Sequence, residues 1–107
     1  MATAKIWHYA VGLGDLGSQY PDLPTEPYLS RQSVTTSGTA ASSTAAPYGA
    51  NLARVEVTVA TRYRVNLAGV SVVAADASDV PLFLNTTNLI NYINLPAGAT
   101  ISLIEAA

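Results

Sequence analysis

The amino-acid sequence predicts an all-β fold, an antiparallel β-sandwich or jelly-roll-like barrel with an extended N-terminal arm. Polar and apolar residues alternate over 54–67, short strand-like runs are separated by turn residues, and no segment of helical length carries a 3.6-residue apolar stripe. A chain of 107 residues has room for one hydrophobic core and not for a second independent one. We therefore expect an arm at 1–28 and a β-sandwich domain at 29–107.

The strongest strand prediction covers residues 54–59, where valines at every second position alternate with Arg54, Glu56 and Thr58. After a break at 60–61, which suits a bulge or a tight bend, the alternation continues through 63–67. Shorter strands are predicted at 29–36, 70–74, 81–85, 89–95 and 100–106, with a loop at 37–46 and a candidate helical turn at 86–90. The side chains expected to point inward are Val55, Val57, Val59, Val65, Leu82, Leu84, Ile101 and Leu103.

The first 28 residues differ from the rest of the chain. A β-like run at 5–11 leads into a glycine-rich stretch and then into Pro21, Pro24 and Pro27, which disfavour a helix. The segment is too apolar for a free tail, so we expect it to reach another protein chain. The candidate interface residues are Ile6, Trp7, His8, Tyr9, Leu13, Leu16, Tyr20, Leu23 and Tyr28.

The composition of the chain narrows the range of functions that we expect for it. Charged residues make up 11% of the chain, less than half the usual fraction of about 25%, which suggests that much of the exterior is contact surface. The net charge is −2 and the five basic residues are scattered except for Arg62 and Arg64, so no basic patch for nucleic acid is predicted. The absence of cysteine excludes disulfides and thiolate metal sites. We expect a soluble chain with no signal peptide and no membrane span.

Two patterns could carry enzyme chemistry. Glycines at positions 12, 14 and 17 match a dinucleotide-binding motif, but the prolines that follow leave no room for the helix that this site needs. His8 is the only histidine, and no nucleophile motif supports a Ser-His-Asp set built from it with Asp76 or Asp79. We therefore expect no catalytic residue, no cofactor and no metal ion, and predict that the chain is not an enzyme.

Three further features have a structural and a functional interpretation. Asp76 and Asp79 could bind calcium, but two loop carboxylates more often shape a turn through backbone hydrogen bonds. The Asn-Thr-Thr sequence at 85–87 is a formal glycosylation acceptor that needs a secretory route. The aromatic residues could form a sugar-binding platform, although interface anchors are their commoner use. The candidates for such a platform are either Trp7 with Tyr9 or the tyrosines Tyr20, Tyr28, Tyr48, Tyr63 and Tyr92.

The segments 42–47, 54–65, 79–84 and 95–104, which read SSTAAP, RVEVTVATRYRV, DVPLFL and LPAGATISLI, resemble small β-sandwich proteins encoded among the head genes of tailed bacteriophages. In those proteins a strand ending in Ala-Thr precedes a second strand, and Leu-Pro-Ala-Gly precedes the last one. The resemblance covers residues 40–107.

This resemblance implies a structural virion protein on the capsid exterior, made in the host cytoplasm, most simply a capsid decoration or cement protein. Its expected partners are the major capsid protein and neighbouring copies of itself, as a trimer or dimer, with no nucleic acid and no membrane. The alternatives are a tail, neck or head-fibre component, or a carbohydrate-binding module.

Overall fold

A computed structural model of the chain describes residues 2–10, 29–87 and 89–106. Its strands are β1 (Ala2–Tyr9), β2 (Ser30–Thr36), β3 (Ala41–Ser42), β4 (Leu52–Glu56), β5 (Thr61–Asn66), β6 (Val80–Pro81), β7 (Asn91–Asn94) and β8 (Thr100–Glu105). They form two four-stranded antiparallel sheets, in the orders β2-β1-β4-β7 and β3-β8-β5-β6. The described ranges contain no helix, so none that could cross a membrane. The prediction of an all-β sandwich is confirmed.

The core lies between the two sheets, because each sheet turns one set of alternating side chains inward. Ile6 and Val55 from the first sheet meet Ile101 and Leu103 from the second in a single buried cluster. Of the eight side chains predicted to point inward, five are buried: Val55, Val57, Leu82, Ile101 and Leu103. Val65 and Leu84 are partly buried against the same cluster.

Val59 is the exception, and its prediction is wrong, because the side chain is 36% exposed. The ladder of β4 ends at Glu56, and the chain bends at residues 58 and 59 before β5 begins at Thr61. This bend carries the chain from one sheet to the other, so the alternation of the sequence no longer tracks a single face.

β1 is an inner strand of the first sheet. It pairs with β2 from Ala2↔Thr36 to His8↔Ser30 and with β4 from Lys5↔Glu56 to Tyr9↔Leu52. The prediction of an arm is therefore wrong for residues 2–9, which belong to the domain because their alternation buries Ala4 and Ile6 in its core. Residues 11–28 lie outside the described ranges, and for them the arm stays a prediction.

The other strand predictions succeed in part. β2, β5, β7 and β8 fall within or beside the predicted runs, and the predicted loop at 37–46 contains the short strand β3. The strand predicted at 70–74 is wrong, because among the described residues this segment joins no ladder. The described residues around the candidate helical turn at 86–90 form a non-helical turn.

The two sides of the sandwich differ. On one side β2 lies next to β3 and β8, and the Gln32 side chain bonds to the backbone of Thr44. On the other side β6 and β7 leave a gap, which the segment 82–85 crosses. There the Leu82 N–H donates to the Thr61 carbonyl at 2.9 Å and the Asn85 N–H donates to the Val57 carbonyl at 2.9 Å. We call this second side the open side.

Candidate protein interaction surfaces

The predicted interface residues that the structure describes lie on β1. Ile6 (0% exposed), His8 (1%) and Tyr9 (3%) are buried within their own chain, so none of them presents a side chain to a partner. Trp7 is half-buried on the outer face of the first sheet. The remaining candidates, Leu13, Leu16, Tyr20, Leu23 and Tyr28, lie outside the described residues, and their interface role stays a prediction.

His8 is held in one chemical state by Gln32. The Gln32 Oε1 atom accepts from the Thr44 N–H at 2.9 Å, so its amide NH₂ group is the one that faces the His8 Nε2 atom at 2.8 Å. An imidazole that accepts at Nε2 carries its proton on Nδ1, and the Nδ1 atom has no hydrogen-bond partner among the described residues. Burial lowers the pKa of His8. The histidine is a neutral packing residue, out of reach of a substrate.

Asp76 and Asp79 shape a turn and fasten it to the second sheet. The Asp76 Oδ1 atom accepts from the Ser78 N–H at 2.8 Å and from the Ser78 hydroxyl at 2.6 Å, and these bonds lower the pKa of Asp76. The Asp79 Oδ1 atom lies 3.0 Å from Nη2 of Arg64, and Arg62 donates to the Asp79 carbonyl at 2.7 Å. The turn interpretation fits this geometry, and the described ranges contain no group of three potential metal ligands.

The outer face of the first sheet carries a row of cationic and aromatic side chains. Strand register aligns Arg31, Trp7, Arg54 and Tyr92 across all four strands. The Arg54 guanidinium lies over the Trp7 ring, 4.6 Å from its centroid, a favourable cation–π geometry. It therefore occupies a ring face that a sugar platform would need. This row arises from strand register, which the spacing of the residues in the sequence does not reveal.

Exposed apolar side chains line the open side of the sandwich. We call the set the open-edge patch: Val80 (57% exposed), Phe83 (51%), Leu89 (55%), Ile90 (55%) and Tyr92 (48%). Four of them, with Tyr63, border a groove of about 220 Å³ between β6 and β7. The sequence contains a signal for this surface, because predicting Leu82 and Leu84 as inward leaves Phe83 on the opposite face.

A second apolar surface lies on the segment after β5. Val70, Val72 and Val73 are 60%, 65% and 46% exposed, and we call residues 70–73 the valine segment. The buried side chains Asn66 and Ser102 hold this part of the chain on the outer face of the second sheet. Asn66 bonds to both backbone groups of Val73, and the Ser102 hydroxyl accepts from the Ala75 N–H at 2.9 Å.

Comparisons of the chain with protein-family models, with curated proteins and with solved structures find no match.

Proposed function

We propose that the chain is a non-catalytic structural subunit that binds other protein subunits, and specifically a capsid decoration protein on the exterior of a tailed-phage shell. The observation that supports this most strongly is the exposure of large apolar side chains at two surfaces, the open-edge patch and the valine segment. Exposed apolar patches on a folded domain mark sites of protein–protein contact.

The energetics favour contact at both surfaces. Apolar surface removed from water contributes about 25 cal/mol per Å², so covering several half-exposed Val, Leu, Ile and Phe side chains supplies much of an interface's binding energy. A subunit of a lattice must contact at least two neighbours. The two apolar surfaces belong to different elements of the fold, which suits a protein that touches the shell with one and another subunit with the other.

The virion setting rests on the resemblance over residues 40–107. The resembling segments include β6 and all but the last residue of β5 and β8, and these three strands form most of the second sheet. In this setting the function is mechanical: the protein covers junctions between capsid subunits and adds buried area between them, and no bond of a substrate is made or broken.

The proposal is tested by co-sedimentation with shells assembled from the major capsid protein encoded in the same genome. The wild-type chain is expected to pellet with the shells in a saturable manner. If it stays in the supernatant, the decoration role is wrong, and if it pellets with purified tails instead, the protein belongs to the tail or neck.

A pair of variants assigns the contact surface. Val70→Ser together with Val72→Ser makes the valine segment polar, and Ser33→Ala together with Thr35→Ala changes an equal number of exposed residues on the first sheet. We expect the valine variant to lose shell binding while it keeps its melting temperature, and the control to bind normally. Equal binding by both variants would exclude the valine segment as the shell contact.

A further inference from the structure

We infer that two copies of this chain pair edge to edge through β7, so that their first sheets join into one continuous eight-stranded sheet around a two-fold axis. The inference rests on the proposed function, because it names the partner that covers the open-edge patch. It starts from the backbone of β7, which is the end strand of the first sheet.

The outer edge of β7 presents unused backbone groups. β7 pairs with β4 from Leu52↔Asn94 to Val55↔Asn91, and the ladder continues with the Leu95 N–H donating to the Asn51 carbonyl at 3.2 Å. In an antiparallel ladder the residues that bond to the partner alternate, so residues 91, 93 and 95 face β4. The N–H and C=O groups of Tyr92 and Asn94 therefore point away from the sheet, and among the described residues they have no backbone partner.

The other described sheet edges are protected, as edges of stable monomers usually are. β6 contains Pro81, which has no N–H to offer, and β3 is two residues long. The edge of β2 lies beside β3, and its Gln32 side chain is bonded to Thr44. β7 reads Asn-Tyr-Ile-Asn, without a charge or a proline. Among the described sheet edges, β7 is the one that lacks a feature that blocks pairing with another strand.

The surroundings of β7 provide apolar area for a partner. The five side chains of the open-edge patch are each about half exposed and together offer on the order of 400 Å². A stable interface needs roughly 800 Å² per partner. The strand edge itself and the exposed polar residues Asn85 and Thr87, which line a second groove beside the start of β7, supply the remainder.

Charge does not oppose a second copy at this surface. Among the described residues, the groove between β6 and β7 has no charged residue in its lining. The second groove, beside the start of β7, is lined by Arg54 and Glu56, which form an ion pair at 3.7 Å. Two copies related by a two-fold axis would bring like surfaces together, and like surfaces repel when they carry a net charge. Neither groove has a net charge in its described lining, so this penalty is absent.

The geometry of the edge specifies a register. The free backbone groups belong to Tyr92 and Asn94. A second copy that pairs antiparallel with this edge therefore places its Asn94 opposite Tyr92 and its Tyr92 opposite Asn94. Each facing pair exchanges two backbone hydrogen bonds, and Ile93 lies on the two-fold axis. Two residues further, at the next bonding position, Ile90 would face Pro96 of the second copy, which has no N–H, so the shared ladder ends there. The edge is self-complementary, which is why we commit to a second copy as its partner.

The test measures mass in solution as a function of concentration by analytical ultracentrifugation. At about 100 µM, a range in which a weak dimer is populated, the wild-type chain is expected at twice the 11.1 kDa of one chain. Asn94→Pro removes an outward-pointing N–H without removing a bond to β4, and proline is tolerated on edge strands. We expect this variant to dimerise at least about tenfold more weakly.

Two more variants keep the test decisive. Asn94→Ala keeps the backbone donor and is expected to dimerise like the wild type. Tyr92→Lys places a charge on the edge without changing the backbone and is expected to be a monomer, which covers the case in which the proline variant fails to fold. A wild-type chain that stays monomeric, a trimer, or a Tyr92→Lys variant that still dimerises would overturn the inference.

The same samples separate this inference from the proposed function. A chain that is monomeric but still pellets with capsid shells contradicts the β7 dimer and leaves the decoration role intact. A chain that dimerises through β7 but never pellets with shells contradicts the decoration role and leaves the dimer intact.

Discussion

At three places in this fold, which we call seams, a side-chain amide forms the hydrogen bonds that the backbone of a neighbouring strand would otherwise form. Asn91 accepts from the Phe83 N–H at 2.8 Å and donates to the Phe83 carbonyl at 2.8 Å. Asn66 makes the same pair of bonds to Val73, and Gln32 makes it to Thr44. A primary amide offers a donor and an acceptor, so it can pair with a residue as a neighbouring strand would. Segments that join no sheet are held in this way.

Asn91→Ala tests the seam at the open side. The substitution leaves the Phe83 N–H and carbonyl without their partner, together with the Val55 carbonyl that Asn91 also bonds at 3.1 Å. We expect the free energy of unfolding to fall by about 2 kcal/mol, measured by urea denaturation at a protein concentration that keeps the chain monomeric. Asn94→Ala is the matched control, since Asn94 is exposed on the same strand. Equal stabilities for the two variants would mean that the hydrogen bonds of this seam contribute little to the free energy of unfolding.

His8 couples stability to pH. Its pKa is lowered from 6.5 by burial, so the unfolded chain takes up a proton at a higher pH than the folded chain does. The stabilisation contributed by the neutral histidine is complete well above pH 6.5 and is lost as the pH falls from there towards the lowered pKa of the folded state. Below that lowered pKa both states are protonated and the loss stops.

His8→Asn is expected to remove this dependence. Because His8 is the only histidine, the wild type should lose unfolding free energy as the pH falls from about 6.5 towards the lowered pKa of the folded state, at no more than about 1.4 kcal/mol per pH unit. The asparagine variant should be less stable at neutral pH but nearly flat over that range. Chemical denaturation at closely spaced pH values measures both curves, and parallel curves would show that the histidine is not the titrating group.

At the scale of single elements, the bend at residues 58 and 59 distinguishes two valines that look equivalent in the sequence. Val57 is 1% exposed and Val59 is 36% exposed. Val57→Asp buries an unpaired charge and should cost more than about 3 kcal/mol, enough to unfold a marginally stable domain. Val59→Asp places the same charge at the bend, where water can solvate it, and should leave the melting temperature nearly unchanged. If circular dichroism finds both variants unfolded, Val59 belongs to the core after all.

Alternation in the sequence was sufficient to predict elements whose pairing runs along one sheet. It predicted the inward side chains of Val55 in β4 and of Val57 just after it, and the strand β8 with Ile101 and Leu103. The turn residues at 96–98 predicted the turn before β8. That turn needs Gly98, which has φ +84° and whose added Cβ would lie 2.8 Å from the Cβ of Ala68. These features depend on neighbours in the chain, and so local sequence is enough.

The sequence predictions that failed have a common cause, because they depend on strands or side chains that are distant from each other in the sequence. β1 was assigned to an arm because glycines and prolines follow it, while its partners in β2 and β4 lie more than 20 residues away. The valine segment has the composition of a strand, but Asn66 binds it at Val73, and Ser102 binds the chain just after it at Ala75, in place of a neighbouring strand. The row of Arg31, Trp7, Arg54 and Tyr92 arises from strand register alone. The sequence contains a signal for Phe83 as part of the open-edge patch, but it does not reveal how far the patch extends.

At the scale of the whole molecule, the proposed structural role would account for both the shortage of charge and the exposed apolar surfaces. The chain has 11% charged residues and exposes the open-edge patch and the valine segment. In the proposed assembly, neighbouring subunits would cover those surfaces. Contacts built from apolar and neutral hydrogen-bonding groups depend weakly on salt, whereas contacts steered by opposite charges weaken as salt screens them. Many copies on a symmetric lattice then add modest individual affinities into strong reinforcement.

The most direct measurement of the central claim is the thermal rupture temperature of capsid shells with and without the bound protein, taken together with occupancy from low to high ionic strength. We predict that saturating the shell raises its rupture temperature and that occupancy changes little between low and high salt. A rupture temperature that stays unchanged at full occupancy would contradict the cementing role, and occupancy that collapses at moderate salt would contradict the apolar character of the contact.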